Sequence, residues 1–399
     1  MKNLCLYLHI HQPFRYRQYS IFDVGKSENY FFDPNYNSKQ SNERIFKKVS
    51  EKSYRPTFSL LEKKLKEEKN FKFSLSITGT WLDQAEMWEP DLITRLQNMI
   101  KSGRVEIVGE TYYHSMSFFY DEAEFEAQIR LHQEKIKALF KKSPKVFRNT
   151  EFAYNDNLGK TIEKLGFEAC LVEGWDKVLG WRSANYVYSA AGTKSLKLLP
   201  KNYRLSDDIA FRFSDKNWNE WPLTVEKYKA WLNNAFLDGE VVNLFMDFET
   251  FGEHQWRETG IFDFMNRLIS DWANDSGCSF LTVSEAAALK PVGILSFPET
   301  VTWADTERDL SAWIGNSLQD ESMKRLYSLR NKVLEKSKSD KSLLEDFRRL
   351  TTSDHAYYMC TKYWNDGDVH AYFSAYDSPY DAFLFFQNIL RSLEYRLSQ

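Results

Sequence analysis

The segment Val241–His254, VVNLFMDFETFGEH, decides the fold class of this chain. Its apolar run VVNLF reads as a buried β-strand of the kind found in parallel sheets. Asp247, Glu249 and His254 follow at once, at the carboxyl end of the strand, where α/β architectures collect their catalytic groups. Alternation along an extended chain sends Asp247 and Glu249 to one side and Phe248 into the packing layer behind them. One carboxyl of that close pair is therefore expected to titrate high.

Outward from this segment, strand-like and helix-like runs alternate. NLCLYLH, KFSLSI, RVEIVG, PKVFRN, EACLV and CSFLTV are separated by amphipathic stretches such as DLITRLQNMIKSG, NLGKTIEKLGF, TVEKYKAWLNNAFLDG and GIFDFMNRLISDWAND. Repeated βα units of this length imply a parallel α/β sheet, and their number implies closure into a barrel. From about Asp309 onward the strands give way to three helical stretches, LQDESMKRLYSLRNKVLEKS, KSLLEDFRRLTTSDHAYYM and SPYDAFLFFQNILRSLEYRL. We expect a (β/α) barrel domain over residues 1–290 and a C-terminal helical domain over 291–399, the division natural to a chain of this length.

Composition narrows the partner. The net charge of -3 and the lack of a Lys/Arg block interleaved with aromatics argue against nucleic acid. Aromatic residues make up 16% of the chain, with 12 Trp and 22 Tyr, more than a core needs and suited to a groove lined with flat apolar faces on which sugar rings stack. Cys5, Cys170, Cys278 and Cys360 lack CxxC spacing and read as buried free thiols in a reducing compartment. The opening MKNLCLYLHIHQP is too short in its apolar run, and too rich in histidine, for a signal peptide or a membrane span, so a cytoplasmic protein is expected. No sequence signal bears on oligomeric state.

The candidate chemistry lies where strands end. His9 and His11 alternate with Ile10 and share a face, which suits metal ligands, a packing pair or a sugar-binding pair. Glu106 and Glu110 lie an even number of residues apart in RVEIVGETYYH. A charge amid an apolar strand is costly unless paired or functional, so Glu106 is a site candidate, with an edge-strand position as the alternative. In FRNTEFAYND, Glu151 stands just past a strand with Arg148 near enough to hold it ionised, and Asn155 opens the next helix. An ionised carboxylate facing an acid on another strand end is the pair that glycoside hydrolysis requires. Trp175, Trp181 and Tyr186, in a loop after EACLV, serve either as stacking platforms or as loop anchors.

In this order, HIHQP, GRVEIVGETYYH, RNTEFAYND, MDFETFGEH and TWADTERDLSAWIGN resemble the five signature regions of glycoside hydrolase family 57, most closely its α-amylase-like members. KVLGWRSANYVY and NYRLSDDIAFRF are similar to that group as well, so the resemblance covers about residues 1–320. It implies an incomplete (β/α)7 barrel with a C-terminal helical bundle completing the active site. It also implies retaining cleavage of α-1,4-glucosidic bonds in starch, glycogen or maltooligosaccharides, without a cofactor. A 4-α-glucanotransferase, a branching enzyme or a catalytically silent glucan-binding relative are the alternatives on the same scaffold. By the resemblance, Glu151 is the nucleophile and Asp247 the general acid/base. By the same resemblance, substrate contacts fall on His11, Glu106 and His254, and on Asp305, Asp309 and Trp313 of the last region; His9, Gln12 and Arg148 are further substrate-binding candidates. Asp247 is expected to be protonated beside the ionised Glu151 and to donate to the glycosidic oxygen while Glu151 attacks the anomeric carbon. A metal-dependent deacetylase or mannosidase would instead use His9 and His11 as ligands with a nearby Asp or His, but the sequence shows no HxxxH and no convincing third ligand on a neighbouring strand.

Overall fold

The computed structural model describes residues 1–362 and 374–399. Ten strands are formed among the described residues: β1 (Lys2–Ile10), β2 (Phe73–Ile77), β3 (Val105–Val108), β4 (Val146–Arg148), β5 (Ala169–Glu173), β6 (Tyr188–Ala190), β7 (Lys197–Lys201), β8 (Val241–Asp247), β9 (Cys278–Leu281) and β10 (Ile294–Leu295). One sheet runs β3-β2-β1-β8, all parallel, with β9 beside the first half of β1. The other holds the parallel set β4-β5-β7, with β6 antiparallel on β7 and β10 on β6. The two sheets meet at two seams. Gly109 N donates to Val146 O and Arg148 N to Gly109 O, each at 2.8 Å, and Asn202 N donates to Asn243 O at 2.9 Å. The parallel strands β1, β2, β3, β4, β5, β7 and β8 thus curl into an irregular seven-stranded α/β barrel, as expected.

Both faces of these strands are covered, which is why they read as apolar runs rather than as alternations. Leu4, Leu6, Leu8 and Ile10 of β1 pack outward against the helices. Cys5 and Tyr7 point inward, where Phe245, Val108, Val146, Leu171 and Phe152 fill the lumen. The next inward position on β1 is His9, paired in register with Asp247 at the end of β8. The barrel interior therefore changes from apolar to ionisable at its carboxyl end.

Gly252 anchors the loop that leaves this end. Its φ is +105°, and a Cβ there would stand 1.9 Å from Lys52 O, so no other residue fits where the loop crosses Ser50–Tyr54.

The C-terminal region forms helices Ser317–Ser328, Arg330–Lys336, Lys341–Leu350, Ser353–Tyr357 and Pro379–Ser398. They bury Leu326, Phe347, Phe386 and Leu390 together with Phe14, Tyr16, Tyr19 and Tyr30 from the loop after β1. Two of the three stretches read from sequence as single helices are broken, at Leu329 and at Thr351–Thr352. The second break serves the barrel: Thr352 is extended, and Ser353 N then donates to His114 O at 2.9 Å. Glu124, fully buried on the helix Glu122–Phe140, also ties the two regions, accepting from Arg330 Nε at 3.1 Å and Arg348 Nε at 2.8 Å. None of the described helices is long and apolar enough to cross a membrane. Cys5 and Cys170 are buried free thiols, Cys278 is a half-buried one, and Cys360 is buried.

Candidate active site

Five side chains from four strand ends form a continuous chain across the barrel mouth. Asp247 Oδ1 lies 3.4 Å from His9 Nδ1, and His9 Nε2 lies 3.2 Å from Glu110 Oε2. The same Glu110 oxygen is 3.6 Å from His114 Nδ1, and His114 Nε2 is 3.0 Å from Glu151 Oε1. The rings of His9 and His114 stack at 4.9 Å, and those of His11 and His114 at 4.1 Å.

Glu151 follows β4 in the 3-10 turn Thr150–Phe152, where both it and Phe152 take left-handed φ values, 58° and 56°. Such backbone costs roughly 1–3 kcal/mol per residue and collects at functional sites. His114 shares the feature, with φ 52°. Besides accepting from His114, the Glu151 carboxylate accepts from Trp303 Nε1 at 2.7 Å. Burial opposes ionisation of Glu151, but the hydrogen bond and charge of His114, with the Arg148 guanidinium, outweigh it and hold the carboxyl below the usual range. Burial likewise opposes charge on His114, and its bonds to Glu110 and Glu151 raise it to about 9. Arg148, fully buried, stacks over Phe152 and Trp303 at 5.0 and 5.2 Å and brings Nη1 to 3.4 Å from His114 Nδ1.

Asp247 departs from the expectation of a protonated acid. Burial pushes its carboxyl up, but His9, followed by His254 and Arg148, outweighs burial and holds it below the ordinary range. The expectation considered only a neighbouring carboxylate and omitted the imidazole that register places beside Asp247. The carboxyl that titrates high is Glu249, raised to about 8 by burial and by the Asp247 charge. Strand alternation also stops sooner than expected: β8 ends at Asp247, Phe248–Thr250 turn as a 3-10 helix, and Glu249 Oε1 accepts from Tyr54 OH at 2.8 Å.

His11 has Thr78 Oγ1 at 3.0 Å from Nδ1 and Asp354 Oδ2 at 3.0 Å from Nε2. Burial, then the charge of His114, lowers His11 to about 4. The network therefore assigns a neutral ring that donates Nε2–H to an ionised Asp354 and accepts the Thr78 hydroxyl proton. Two groups here have metal-ligand atoms within 4.8 Å of one another: His9, Glu110 and His114, and His11, His114 and Asp354. In the first, the Arg148 guanidinium already supplies the positive charge beside His114. In the second, the two rings lie face to face, an arrangement suited to packing more than to chelation.

The other predicted residues divide sharply. Glu106 is not in the mouth: it pairs in register with Ser74, one inward layer below His9, and its carboxylate accepts from Ser284 N at 2.9 Å and from Ser284 Oγ at the start of the helix Val283–Ala287. Gln12 is buried, with Oε1 accepting from Arg15 Nη1 at 3.2 Å. Trp313, 2% exposed, packs near Tyr357 in the helical cluster and offers no open face. Asp309 accepts from Ser311 N at 2.8 Å, and Asp305 pairs with Lys362 Nζ at 3.3 Å. Trp175 is half-buried against the core under Lys177, whereas Trp181 is 89% exposed beside Arg182. His254 stands close enough to Asp247 for the charge of each to shift the other. Glu110, His114, Trp303 and Asp354 were not singled out from sequence. Three of them lie in motifs already quoted, and parity did place Glu110 on the face of Glu106.

A parallel barrel with carboxylates gathered at its carboxyl end is an enzyme scaffold compatible with glycoside hydrolysis. A family model described as Glycosyl hydrolase family 57 matches residues 5–298, and the chain belongs to that family of glycoside hydrolases. The "Putative alpha-amylase" of Methanocaldococcus jannaschii is 40% identical over 400 residues, covering 98% of this chain and 84% of that protein. Among solved structures, the GH57-type branching enzyme from Pyrococcus horikoshii matches with a TM-score of 0.67 at 16% identity, over 94% of this chain and 87% of that one. The 4-alpha-glucanotransferase from Thermococcus litoralis matches with a TM-score of 0.64 at 18% identity, over 89% of this chain and 55% of that one. At these identities the two structures speak for the fold.

Proposed function

We propose that the protein hydrolyses α-1,4-glucosidic bonds in starch-type glucans or maltooligosaccharides with retention of configuration, using Glu151 as nucleophile and Asp247 as general acid/base. The observation that carries this reading is the clasp on Glu151. Two donors, His114 Nε2 and Trp303 Nε1, hold its carboxylate ionised and oriented on a strained turn, as a nucleophile needs. Asp247 supports the second role: its side chain is 38% exposed and backed by His9, so one side is open to a sugar while the other is held. Glu151 would attack the anomeric carbon as Asp247 protonates the departing oxygen. Water, deprotonated by Asp247, would then release the sugar. The 40% identical archaeal relative carries an amylase name, which favours water over a second sugar as acceptor.

The test is to incubate wild type, Glu151→Ala and Asp247→Ala with maltoheptaose and resolve the products by length. Only shorter products, lost in both variants, are expected. Products longer than the substrate would mean glucan transfer, and activity retained in either variant would remove the catalytic assignment.

A further inference from the structure

The two imidazoles between the carboxylates are each flanked by acids on both sides. His9 faces Asp247 from Nδ1 and Glu110 from Nε2, and His114 faces Glu110 from Nδ1 and Glu151 from Nε2. A neutral imidazole carries one N–H and accepts at its other nitrogen, so His9, with a carboxylate at each nitrogen, is satisfied only when both are protonated; His114 Nδ1 also has the Arg148 donor at 3.4 Å, and its charge rests on the pull of Glu110 and Glu151. The carboxylate common to both rings is Glu110. It is fully buried, turns Oε2 to both imidazoles, and leaves Oε1 without a hydrogen-bond partner among the described residues. A buried charge without further hydrogen bonds is expensive unless the charge itself is used.

Resting on the reading that Glu151 and Asp247 are the reacting pair, we propose that Glu110 is a positioning residue that keeps a reserve proton on His9 for Asp247 and a permanent charge on His114 for Glu151. The neighbours fit this arrangement. His132, from the helix Glu122–Phe140, is lowered by burial and bonds Ile77 O, and His11 is also held neutral by burial, so neither competes for the proton. Arg148 from β4 adds positive charge near His114, Asp354 pairs with His11, and His254 faces Asp247 from the loop after β8. Charges therefore alternate along the chain, negative on Glu151, Glu110 and Asp247, positive on the two histidines between them.

The arrangement explains how a carboxylate at rest becomes an acid. A bound glucan strips water from the exposed side of Asp247, which penalises the carboxylate more than the neutral acid. The Nδ1–H bond of His9 breaks and an O–H bond forms on Asp247 Oδ1, leaving a neutral His9 that still donates Nε2–H to Glu110. Asp247 passes that proton to the glycosidic oxygen as Glu151 forms its bond to the anomeric carbon. In the second half, Asp247 takes a proton from the attacking water and returns it to His9 Nδ1. Protons and charge close over the cycle, and Glu110 stays ionised throughout.

Glu110→Gln keeps the shape and removes the charge. On maltoheptaose its kcat is expected to fall about 100-fold, with KM altered by no more than about threefold. The alkaline limb of its kcat–pH profile should move down, because the protons held beside Glu110 lose their counter-charge, as on His114, which Glu110 helps to raise. A nitrophenyl maltoside, whose leaving group needs no proton, should lose less than about tenfold. A loss uniform across pH, with both limbs in place, would reveal a packing role only and overturn the proposal. If Glu110→Gln does not fold, 15N-histidine NMR of the wild type at pH 7.5 decides instead, with His9 assigned by His9→Gln. Two protonated nitrogens on His9 are expected, and a neutral ring overturns the proposal. Glu151→Ala and Asp247→Ala are measured alongside. Activity in either sinks the reading of the pair, whereas their inactivity with unmoved limbs in Glu110→Gln sinks only the proton reserve.

Discussion

His9 and Asp247 occupy paired positions on adjacent parallel strands, with His9 Nδ1 3.4 Å from Asp247 Oδ1. The imidazole is thus as firmly placed as the β1–β8 ladder, which runs in register from Asn3 to His9. If His9 feeds the proton that leaves through Asp247, its loss should matter in proportion to how badly the leaving group needs protonation. For His9→Gln we expect a kcat reduction of about 100-fold on maltooligosaccharides and about tenfold or less on nitrophenyl maltosides. Equal losses on both substrates would reduce His9 to a packing residue.

Removing the Glu151 carboxylate should abolish turnover, and azide should restore it. With Glu151→Ala and an activated maltoside, the anion enters the vacated space and attacks the anomeric carbon in one displacement, giving a β-maltosyl azide. Isolation of an α-azide, or no rescue alongside surviving hydrolysis, would contradict a nucleophilic role on the face assigned to Glu151.

Trp303 makes a subtler demand. Its Nε1 donates to Glu151 Oε2 at 2.7 Å, a bond to a charged acceptor worth about 1.5–3 kcal/mol. Trp303→Phe should keep the aromatic contact with Phe152 and lose only that bond. Its kcat should fall about 10- to 100-fold, and the acid limb of its kcat–pH profile should move upward because one donor no longer holds Glu151 ionised. An unchanged acid limb would mean that His114 alone sets the state of the nucleophile.

These residues differ in how far the sequence exposes them. Glu151 and Asp247 stand immediately after apolar runs, so their place at strand ends is visible from period and position alone. Glu106 and Glu110 show the limit of that logic. Parity puts both on the inner face, but height in the barrel depends on the β2–β3 register, which pairs Glu106 with Ser74 and leaves Glu110 above the strand. β7 escapes notice because Pro200 and flanking lysines interrupt its pattern, although Lys201 finishes fully enclosed against Glu173 and Asp207. His114, Trp303 and Asp354 reach the mouth from a loop, from a segment some 150 residues beyond Glu151 in the numbering, and from the helical region. Only the folded chain joins them.

The loop that carries Trp303 depends on a buried pair. Arg308 Nη1 lies 3.0 Å from Glu173 Oε2, whose side chain is fully enclosed at the end of β5, and Arg308 O accepts from Thr302 N at 2.9 Å. Arg308→Ala would leave Glu173 with Lys201, 3.8 Å away, as its remaining ion-pair partner. Breaking a buried pair from one side costs about 3–5 kcal/mol, so the urea midpoint should drop and kcat should fall with it. A stable variant with normal kcat would show that the Trp303 segment is held by other contacts.

Three strongly shifted groups at the candidate site each add a definite slope to stability against pH. His11 titrates near 6.5 when unfolded and at about 4 when folded, so its contribution is complete above 6.5 and is lost as pH falls toward 4. Glu249 moves the other way, from 4.5 unfolded to about 8 folded, so the native state keeps a proton that the unfolded chain releases, and stability falls as pH rises from 4.5 to 8. Between about 4.5 and 6.5 the two slopes oppose each other and nearly cancel. His114, raised from 6.5 to about 9, adds stability below 6.5 that disappears as pH climbs through 9. Above 6.5, Glu249 and His114 therefore act together, each worth about 1.4 kcal/mol per pH unit. Thermal midpoints at constant ionic strength should fall steeply from pH 6.5 to 8 and less steeply to 9. Glu249→Gln should remove about half of the steep segment. A midpoint that rises between pH 6.5 and 8 would mean that neither group holds its proton in the folded protein, and the charge pattern around the candidate site would have to be redrawn.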